Sequence, residues 1–255
     1  MELVLGQLPA RLTCDLFPGI QVKLNLDDLT QRSTYWQGKR FEEPTPEILA
    51  EFGAQATTFF DIGSNYGFFS YWMLHRLPAI EVYAFEPNPK TFELVAQTAS
   101  VNRLSRLHPQ NLGLSNAAGV LDLHPGNEDS GHSTFTNHPD LNAPPLANVR
   151  VAVFDEWKRV EGMSEPRRGE WIAKIDVEGF ELKVLEGMKE SLKQKAFCLL
   201  AVEINEFTLG LAGTKPEQVR TFLANAGYRS LEATPAGKRW QLSRTANEFF
   251  VPAAP

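Results

Sequence analysis

The chain has 255 residues and a mass of 28.5 kDa, which predicts one large domain or two small ones around a sizeable hydrophobic core. Acidic residues outnumber basic ones by 31 to 25, and the resulting charge of -6 has the wrong sign for a protein that neutralises nucleic-acid phosphates. The chain has two cysteines far apart, which argues against a disulfide framework. It has no apolar run of the roughly 18 residues that span a bilayer, which argues against a membrane protein. Together these features predict a cytoplasmic location.

The first fifty residues differ from the rest and predict a small β cap. The stretches from Arg11 to Phe17 and from Ile20 to Leu26 favour two short strands. Four residues after them are predicted either to close over a bound cofactor or to form a structural clasp: Tyr35, Trp36, Glu42 and Glu43. We therefore expect a cap at residues 1–50 and a main domain at residues 51–255.

Two strand-helix units follow the cap. An apolar, β-rich run from Thr57 to Gly63 predicts a strand, and the stretch from Phe68 to Leu77 predicts a helix. A second strand is predicted from Glu81 to Phe85, and Asn88 is placed to cap a second helix that has Pro89 at its first position. This alternation is typical of a parallel sheet.

Long apolar runs in the second half predict the remaining core strands. The runs from Trp171 to Val177 and from Phe197 to Ile204 are typical of strands covered on both faces, and a helical pattern from Glu181 to Gln194 separates them. A helix from Pro216 to Gly227 and a strand pair at 228–231 and 248–251 follow. The predicted fold class is α/β, a Rossmann-like, doubly wound and mostly parallel sheet with an antiparallel C-terminal strand pair.

A stretch from Pro125 to Val149 is rich in Gly, Asn, His, Ser and Pro and shows no period. Loops longer than roughly 12 to 15 residues are usually functional lids or disordered insertions. Because this stretch precedes a core strand, we expect a lid. It contains Glu128, Asp129 and Asp140 but no Lys or Arg, which predicts a neutral or cationic ligand rather than a phosphorylated one.

Acidic residues end four predicted strands, at the edge where open α/β sheets bind ligands: Asp61, Glu86, Asp176 and Glu203. The turn Gly63-Ser64-Asn65-Tyr66-Gly67 lacks the G-x-G-x-x-G spacing of dinucleotide sites. An acidic rim repels a pyrophosphate but suits S-adenosylmethionine, whose sulfonium and ammonium groups are cationic and whose one carboxylate a helix N-terminus can receive. Glu86 follows Gly63 at a spacing near that of acids that bind ribose hydroxyls. The pattern favours S-adenosylmethionine over NAD.

Three motifs in chain order carry a further signal. They are Asp61-Ile62-Gly63-Ser64-Asn65-Tyr66-Gly67-Phe68-Phe69-Ser70, Ala84-Phe85-Glu86-Pro87-Asn88-Pro89 and Lys174-Ile175-Asp176-Val177-Glu178-Gly179-Phe180-Glu181. Together they resemble the FkbM-type family of class I methyltransferases, and the third resembles its K-x-D-x-E-G-x-E signature. The stretch Asn111-Leu112-Gly113-Leu114-Ser115 is similar to a short strand-loop element of that family.

The resemblance implies a class I, Rossmann-like fold and S-adenosylmethionine-dependent O-methylation, often of sugars or secondary metabolites. It implies a small-molecule hydroxyl acceptor as partner, with neither nucleic acid nor membrane. Gly113 departs from the alanine-like residue of many members, which leaves the adenine contacts there open. The residues implied to bind the cofactor are Asp61, Gly63, Ser64, Asn65, Gly67, Phe68, Glu86, Pro87, Asn111 and Asp176.

Methyl transfer to a hydroxyl requires positioned reactants and removal of the hydroxyl proton. A turn at 177–179 would leave Asp176 and Glu178 over the sheet edge, and we predict that both are catalytic. The alternative for Glu178 is that it only interacts with the dipole of the following helix. His132, in a turn rich in glycine and hydroxyl groups, is the third catalytic candidate, and its alternative is an exposed loop histidine.

Other functions remain open from the sequence alone. The acceptor atom could be a nitrogen or a carboxyl oxygen, and the chain could be a catalytically inactive partner subunit with a nucleotide fold. An NAD-dependent dehydrogenase is a more distant alternative. Convergent carboxylates are compatible with Mg²⁺, but no metal site is predicted.

Overall fold

The computed structural model describes residues 9–125, 133–136, 144–232 and 247–253. No helix within these ranges is long and apolar enough to cross a membrane. In chain order the elements are β1 (Arg11–Phe17), β2 (Ile20–Asn25), α1 (Leu29–Gln37), α2 (Thr45–Gly53), β3 (Thr58–Ile62), α3 (Phe68–Arg76), β4 (Glu81–Phe85), α4 (Pro89–Val101), β5 (Leu107–Gln110), β6 (Gly113–Leu114), β7 (Gly119–Leu123), β8 (Ala147–Ala152), α5 (Phe154–Val160), β9 (Trp171–Ile175), α6 (Glu181–Gly187), α7 (Lys189–Lys193), β10 (Phe197–Glu203), α8 (Glu206–Leu211), α9 (Pro216–Asn225), β11 (Tyr228–Ser230) and β12 (Asn247–Pro252).

The main sheet has seven strands in the order β11-β12-β10-β9-β3-β4-β5. Strand β12 runs antiparallel to both of its neighbours, and the other neighbouring pairs are parallel. From β3 the chain builds outward through β4 and β5, then returns to the other side of β3 to form β9 and β10. The direction of building therefore reverses between β3 and β9, where doubly wound sheets bind ligands. This topology confirms the predicted fold class.

Two hydrophobic cores cover the two faces of this sheet. Phe59 and Phe60 are adjacent in β3 and point to opposite faces, since side chains alternate along a strand. Phe59 lies in the core with α3, α4 and the β1–β2 hairpin, and Phe60 lies in the core with α5, α6 and α7. Both faces are covered, which explains why these strands are apolar throughout.

The N-terminal segment is a hairpin with two helices. The antiparallel pair β1–β2 agrees with the strands predicted for the cap, and Val22 and Leu24 are buried in the same core as α3. The helices α1 and α2 are absent from the sequence-based prediction. A signal for α1 is present, since the Asp28 carboxylate accepts a hydrogen bond from the Gln31 N–H (2.9 Å) as an N-cap.

Three boundaries differ from the prediction. The predicted lid reaches into β8, where Val149 and Val151 are buried in a period of two, within a separate sheet of order β6-β8-β7. Strand β9 ends at Ile175, so Asp176 and Val177 lie beyond it. The helical pattern from 181 to 194 is divided at Met188 into α6 and α7.

Candidate active site

The turn after β3 packs against the ends of both neighbouring strands. Gly63 has φ +82°, and a Cβ at this position would lie 1.8 Å from the carbonyl oxygen of Asp176. The N–H groups of Gly63 and Ser64 both donate to the Phe85 carbonyl, at 3.0 and 2.9 Å. Only glycine allows this close approach of two backbones. The turn is thereby fixed at the reversal point of the sheet.

Asp61 lies behind this turn, in a different place from the acidic rim predicted for it. Its Oδ2 accepts hydrogen bonds from the Ser70 N–H (3.0 Å) and the Ser70 hydroxyl (2.6 Å), and the residue is 1% exposed. Burial raises the pKa of Asp61 to about 6. The carboxylate holds the start of α3 against β3, rather than capping Ser64 or Asn65.

Glu86 follows β4 and lies across from the turn. Its two carboxylate oxygens accept hydrogen bonds from the N–H groups of Asn65 and Asn88, each at 2.8 Å. Burial raises the pKa of Glu86 to about 7, although both hydrogen bonds favour the ionised form. The Asn111 amide donates to the carbonyls of Glu86 and Pro87 and so holds this loop from the next strand along.

A first cleft opens between these two loops. Its floor combines Gly63 and Asn65 with Glu86 and Pro87, and its far wall is apolar. Phe135 closes that wall: a Cβ on Gly113 would lie 2.7 Å from its ring, and the ring packs on Phe180 with centroids 5.0 Å apart. The remaining lining residues are Ile62, Phe85, Leu112, Gly113, Leu114, Leu123, Ser133, Asp176, Val177 and Glu178.

The chain turns sharply after β9, as predicted, and presents a cluster of carboxylates. Glu178 and Gly179 have φ +51° and +102°, and Glu178 is 8% exposed. Carboxylate oxygens of Asp176, Glu178 and Glu203 all lie within 4.8 Å of one another. Glu178 lies three residues before the start of α6, so it is not a first-turn residue of that helix.

Glu181 positions this turn and is absent from the predicted site residues, although it ends the third motif. Its Oε1 accepts hydrogen bonds from the N–H groups of Val177 (3.1 Å) and Gly179 (3.2 Å). Burial raises the pKa of Glu181 to about 7. Its place as the last acid of K-x-D-x-E-G-x-E is the signal that could have identified it.

A buried lysine balances part of the negative charge. The Lys174 ammonium lies 2.5 Å from Asp176 Oδ2, and Lys174 is 2% exposed. Burial alone would lower the pKa of Lys174, but the carboxylates around it, Asp176 first among them, outweigh this and raise it. The negative charge of Asp176, together with burial, raises the pKa of Glu203.

A second cleft lies on the other side of the carboxylate cluster. The end of the main sheet contributes Lys174, Asp176, Glu178 and Glu203, and the turn after β3 contributes Gly63, Ser64 and Asn65. The N-terminal segment forms the opposite wall. Its lining residues are Leu29, Thr30, Ser33, Gln37, Phe41 and Glu42.

The two clefts share four lining residues, Gly63, Asn65, Asp176 and Glu178. These residues therefore mark the junction through which a group could pass from a molecule in one cleft to a molecule in the other. Both catalytic carboxylates predicted from the sequence are at this junction. Of the other predicted residues, Glu86 and Pro87 line the first cleft and Ser64 and Phe68 the second, while Asp61, Gly67 and Asn111 line neither.

The predicted lid is only partly described. His132 and the three lid acids lie outside the described residues. In the described part, the Thr134 hydroxyl donates to the Glu178 carbonyl (2.7 Å), and Thr134 pairs with His124 at the end of β7. The segment 133–136 is thus attached to the turn that carries the carboxylates.

The carboxylates that line both clefts fit a cofactor with a cationic centre, and Glu86 in the first cleft offers an acceptor to its hydroxyl groups. Buried polar atoms without a hydrogen-bond partner in the described residues include Ser64 Oγ and Glu203 Oε2, both in residues that line the second cleft. Such atoms are expected to find a partner in a bound ligand. The cluster Asp176, Glu178 and Glu203 also offers three oxygens to a divalent cation, the ligand type that Mg²⁺ prefers.

Comparisons with known proteins agree with this chemistry. The FkbM methyltransferase domain model matches residues 61–230. The hexuronic acid methyltransferase AglP of Haloferax volcanii is 27% identical over 187 residues, which are 73% of this chain and 70% of that protein. The methyltransferase sdnD of Sordaria araneosa is 30% identical over 154 residues (51% of this chain, 60% of that protein), and the 2-O-methyltransferase NoeI of Sinorhizobium fredii is 27% identical over 165 residues (61% and 63%).

The latter two matches span less than two thirds of the relatives' own length. Among solved structures, an O-methyltransferase from Bacillus cereus superposes with a TM-score of 0.43 and 11% identity, over 83% of this chain and 82% of that chain. Because this similarity is low, the fold assignment rests on the strand order of the sheet. The family model covers well over half of the chain and contains all three motifs. The chain therefore belongs to the FkbM methyltransferase family, which confirms the predicted class of enzyme and S-adenosylmethionine as its cofactor.

Proposed function

We propose that this chain transfers the methyl group of S-adenosylmethionine to a hydroxyl of a sugar or secondary metabolite. The observation that carries the proposal is the pair of clefts that meet at Gly63, Asn65, Asp176 and Glu178. One cleft has the features of a nucleoside site, and the other has polar and acidic walls. A donor and an acceptor bound in them would meet beside the carboxylates.

The first cleft would hold the nucleoside part of the cofactor. The Glu86 carboxylate is suited to accept hydrogen bonds from ribose hydroxyls, and the apolar wall of Leu112, Leu114 and Phe135 is suited to an adenine ring. The bound cofactor supplies a methyl group activated by its sulfonium charge. Asp61 and Asn111 act here through the backbone, since they hold the two loops that form the cleft.

The junction would remove the proton of the acceptor hydroxyl. Lys174 fixes the Asp176 carboxylate, and the turn held by Glu181 fixes Glu178 beside it. Both carboxylates can accept a hydrogen bond from a hydroxyl, and general-base assistance of this kind contributes roughly 10²- to 10⁴-fold in rate. A role for His132 stays a prediction.

A sugar-like acceptor suits the second cleft because hydroxyl, amide and carboxylate groups line it. AglP is named for a hexuronic acid and NoeI for 2-O-methylation. The acidic cleft of this chain favours a neutral or cationic acceptor over an anionic one.

Four further expectations remain proposals: the cap at 1–50, the lid, the cytoplasmic location and the exclusion of nucleic acid.

Two measurements test the function. Isothermal titration with S-adenosylhomocysteine should show binding, and transfer of a labelled methyl group to neutral hexoses should give a product whose mass spectrum locates the methyl on oxygen. Methyl on nitrogen or on a carboxyl group would favour the other acceptor chemistries. Tight cofactor binding without transfer to any member of a broad hydroxyl library would indicate an inactive partner subunit instead.

A further inference from the structure

The second cleft has a wall that lies outside the part of the chain matched by the family model. That match begins at residue 61, whereas α1 and Glu42 precede it in the chain. The family motifs form the cofactor side and the junction. The N-terminal segment forms the side that an acceptor would contact.

Helix α1 is docked on the first motif by its buried face. Gln31 and Thr34 are buried, and the Thr34 hydroxyl hydrogen-bonds to the Tyr66 hydroxyl inside the turn after β3. Gln31 Oε1 accepts from the Asn25 N–H (2.9 Å), which ties the helix to the hairpin. These contacts fix the position of α1 relative to the junction.

The face of α1 next to this buried one lines the cleft. Thr30, Ser33 and Gln37 recur at helical spacing and line the cleft together with Leu29. Three of these four side chains are neutral hydrogen-bonding groups, and none is cationic. A surface of this kind matches hydroxyl groups and offers no positive partner to a carboxylate or a phosphate.

Glu42 ends this wall close to the catalytic carboxylates. It is a non-glycine residue with φ +61°, two residues after the short helical turn Gly38–Arg40, and it lines the cleft with Lys174 and Asp176. The residue is accessible to solvent, as a group that contacts a ligand must be. Desolvation within the cleft raises the pKa of Glu42, Lys174 lowers it and Asp176 raises it, which indicates that its carboxylate interacts with the junction.

We propose that Glu42 and the polar face of α1 select a neutral sugar as the acceptor over the matching sugar acid or sugar phosphate. Adjacent hydroxyls of the neutral sugar donate hydrogen bonds to the Glu42 carboxylate. The proposal rests on the function proposed above. The hydroxyls gain charge-assisted hydrogen bonds, and an anionic substituent meets like charge. Selectivity by repulsion of the unwanted ligand is a common device.

The test compares methylation of a neutral hexoside with that of its uronic acid by the full-length chain at pH 8. Glu42→Gln should lower kcat/KM for the neutral sugar and raise the ratio of uronic acid to neutral sugar about tenfold, because one like charge is removed. Glu43→Gln is the matched control, since Glu43 is the next residue, is exposed and does not line the cleft. S-adenosylhomocysteine affinity and melting temperature should be unchanged in both variants.

The outcomes separate the two proposals. A tenfold change of the ratio in Glu42→Gln alone supports the inference, and a rise of KM for the neutral sugar in Ser33→Ala supports the role of α1. A ratio unchanged by Glu42→Gln, in a wild-type chain that methylates sugars, overturns the inference and leaves the function standing. A wild-type chain that methylates other hydroxyl compounds but no sugar overturns only the inference. A wild-type chain that binds S-adenosylhomocysteine but methylates no member of a broad hydroxyl library overturns both.

Discussion

Substitution of Glu86 by glutamine tests the cofactor site most directly. The glutamine keeps the shape of the side chain but replaces one carboxylate oxygen by an NH₂ group. In the structure both oxygens accept from partly buried backbone donors, the N–H groups of Asn65 and Asn88 at 2.8 Å each. The variant therefore turns a donor toward a donor at one position and loses the charged acceptor for a ribose hydroxyl.

The expected loss of affinity follows from the strength of a hydrogen bond to a charged group. Such a bond contributes about 1.5 to 3 kcal/mol, so S-adenosylhomocysteine should bind roughly ten- to a hundredfold more weakly. Isothermal titration at pH 8 measures this, and a thermal melt shows whether the variant remains folded. Binding within twofold of the wild type would refute the assignment of Glu86 to the ribose.

A pH series gives an independent measurement on the same group. Because the pKa of Glu86 is raised to about 7, its ionised fraction rises from about one tenth at pH 6 to about nine tenths at pH 8. If the ionised form binds, wild-type affinity should fall about ninefold from pH 8 to pH 6, as protons compete with the ligand. Glu86→Gln should flatten this dependence, and equal wild-type affinities at the two pH values would contradict it.

Three further outcomes are expected. In a denaturant titration, Gly63→Ala should lower the free energy of unfolding by at least about 2 kcal/mol more than Gly19→Ala. Both glycines have positive φ, but a Cβ at Gly63 would collide with a backbone carbonyl, whereas a Cβ at Gly19 would have no atom within 4 Å. Asp176→Asn should lower kcat at least about a hundredfold in a methyl-transfer assay of the folded variant, and a kcat within threefold would exclude a catalytic role. Dialysis against EDTA should leave the rate of methyl transfer unchanged, since Lys174 already compensates the charge of Asp176. A loss of rate that Mg²⁺ reverses would instead assign a metal to the carboxylate cluster.

The central sheet could be predicted because its signals are local. The run from Thr57 to Gly63 and the stretch from Glu81 to Phe85 match β3 and β4 to within a residue, since fully buried parallel strands leave uninterrupted apolar sequence. Asn88 caps α4 as expected, with Pro89 in the first turn. In these segments the local pattern and the tertiary environment favour the same structure.

The acidic rim could be predicted only in part, because the order of residues along a strand does not tell which loop or helix will cover each one. Asp176, Glu178 and Glu203 come together as expected. Asp61 is also in the predicted strand, but its carboxylate is buried and accepts hydrogen bonds from Ser70 in the first turn of α3. Asp176 and Glu178 follow the end of β9 and Glu203 ends β10, all beside a cleft, whereas Asp61 is covered by α3.

The second cleft illustrates a limit of reading one sequence, since its acceptor wall depends on contacts between distant segments. Thr34 lies in a segment with little amphipathic pattern, and Tyr66 is surrounded by turn residues, so nothing local pairs two hydroxyls that are 32 residues apart. Yet that pair docks α1 beside the junction and thereby brings Glu42 to the carboxylate cluster. Two chains with the same three motifs but different residues at 29–42 should therefore share the cofactor and differ in the acceptor.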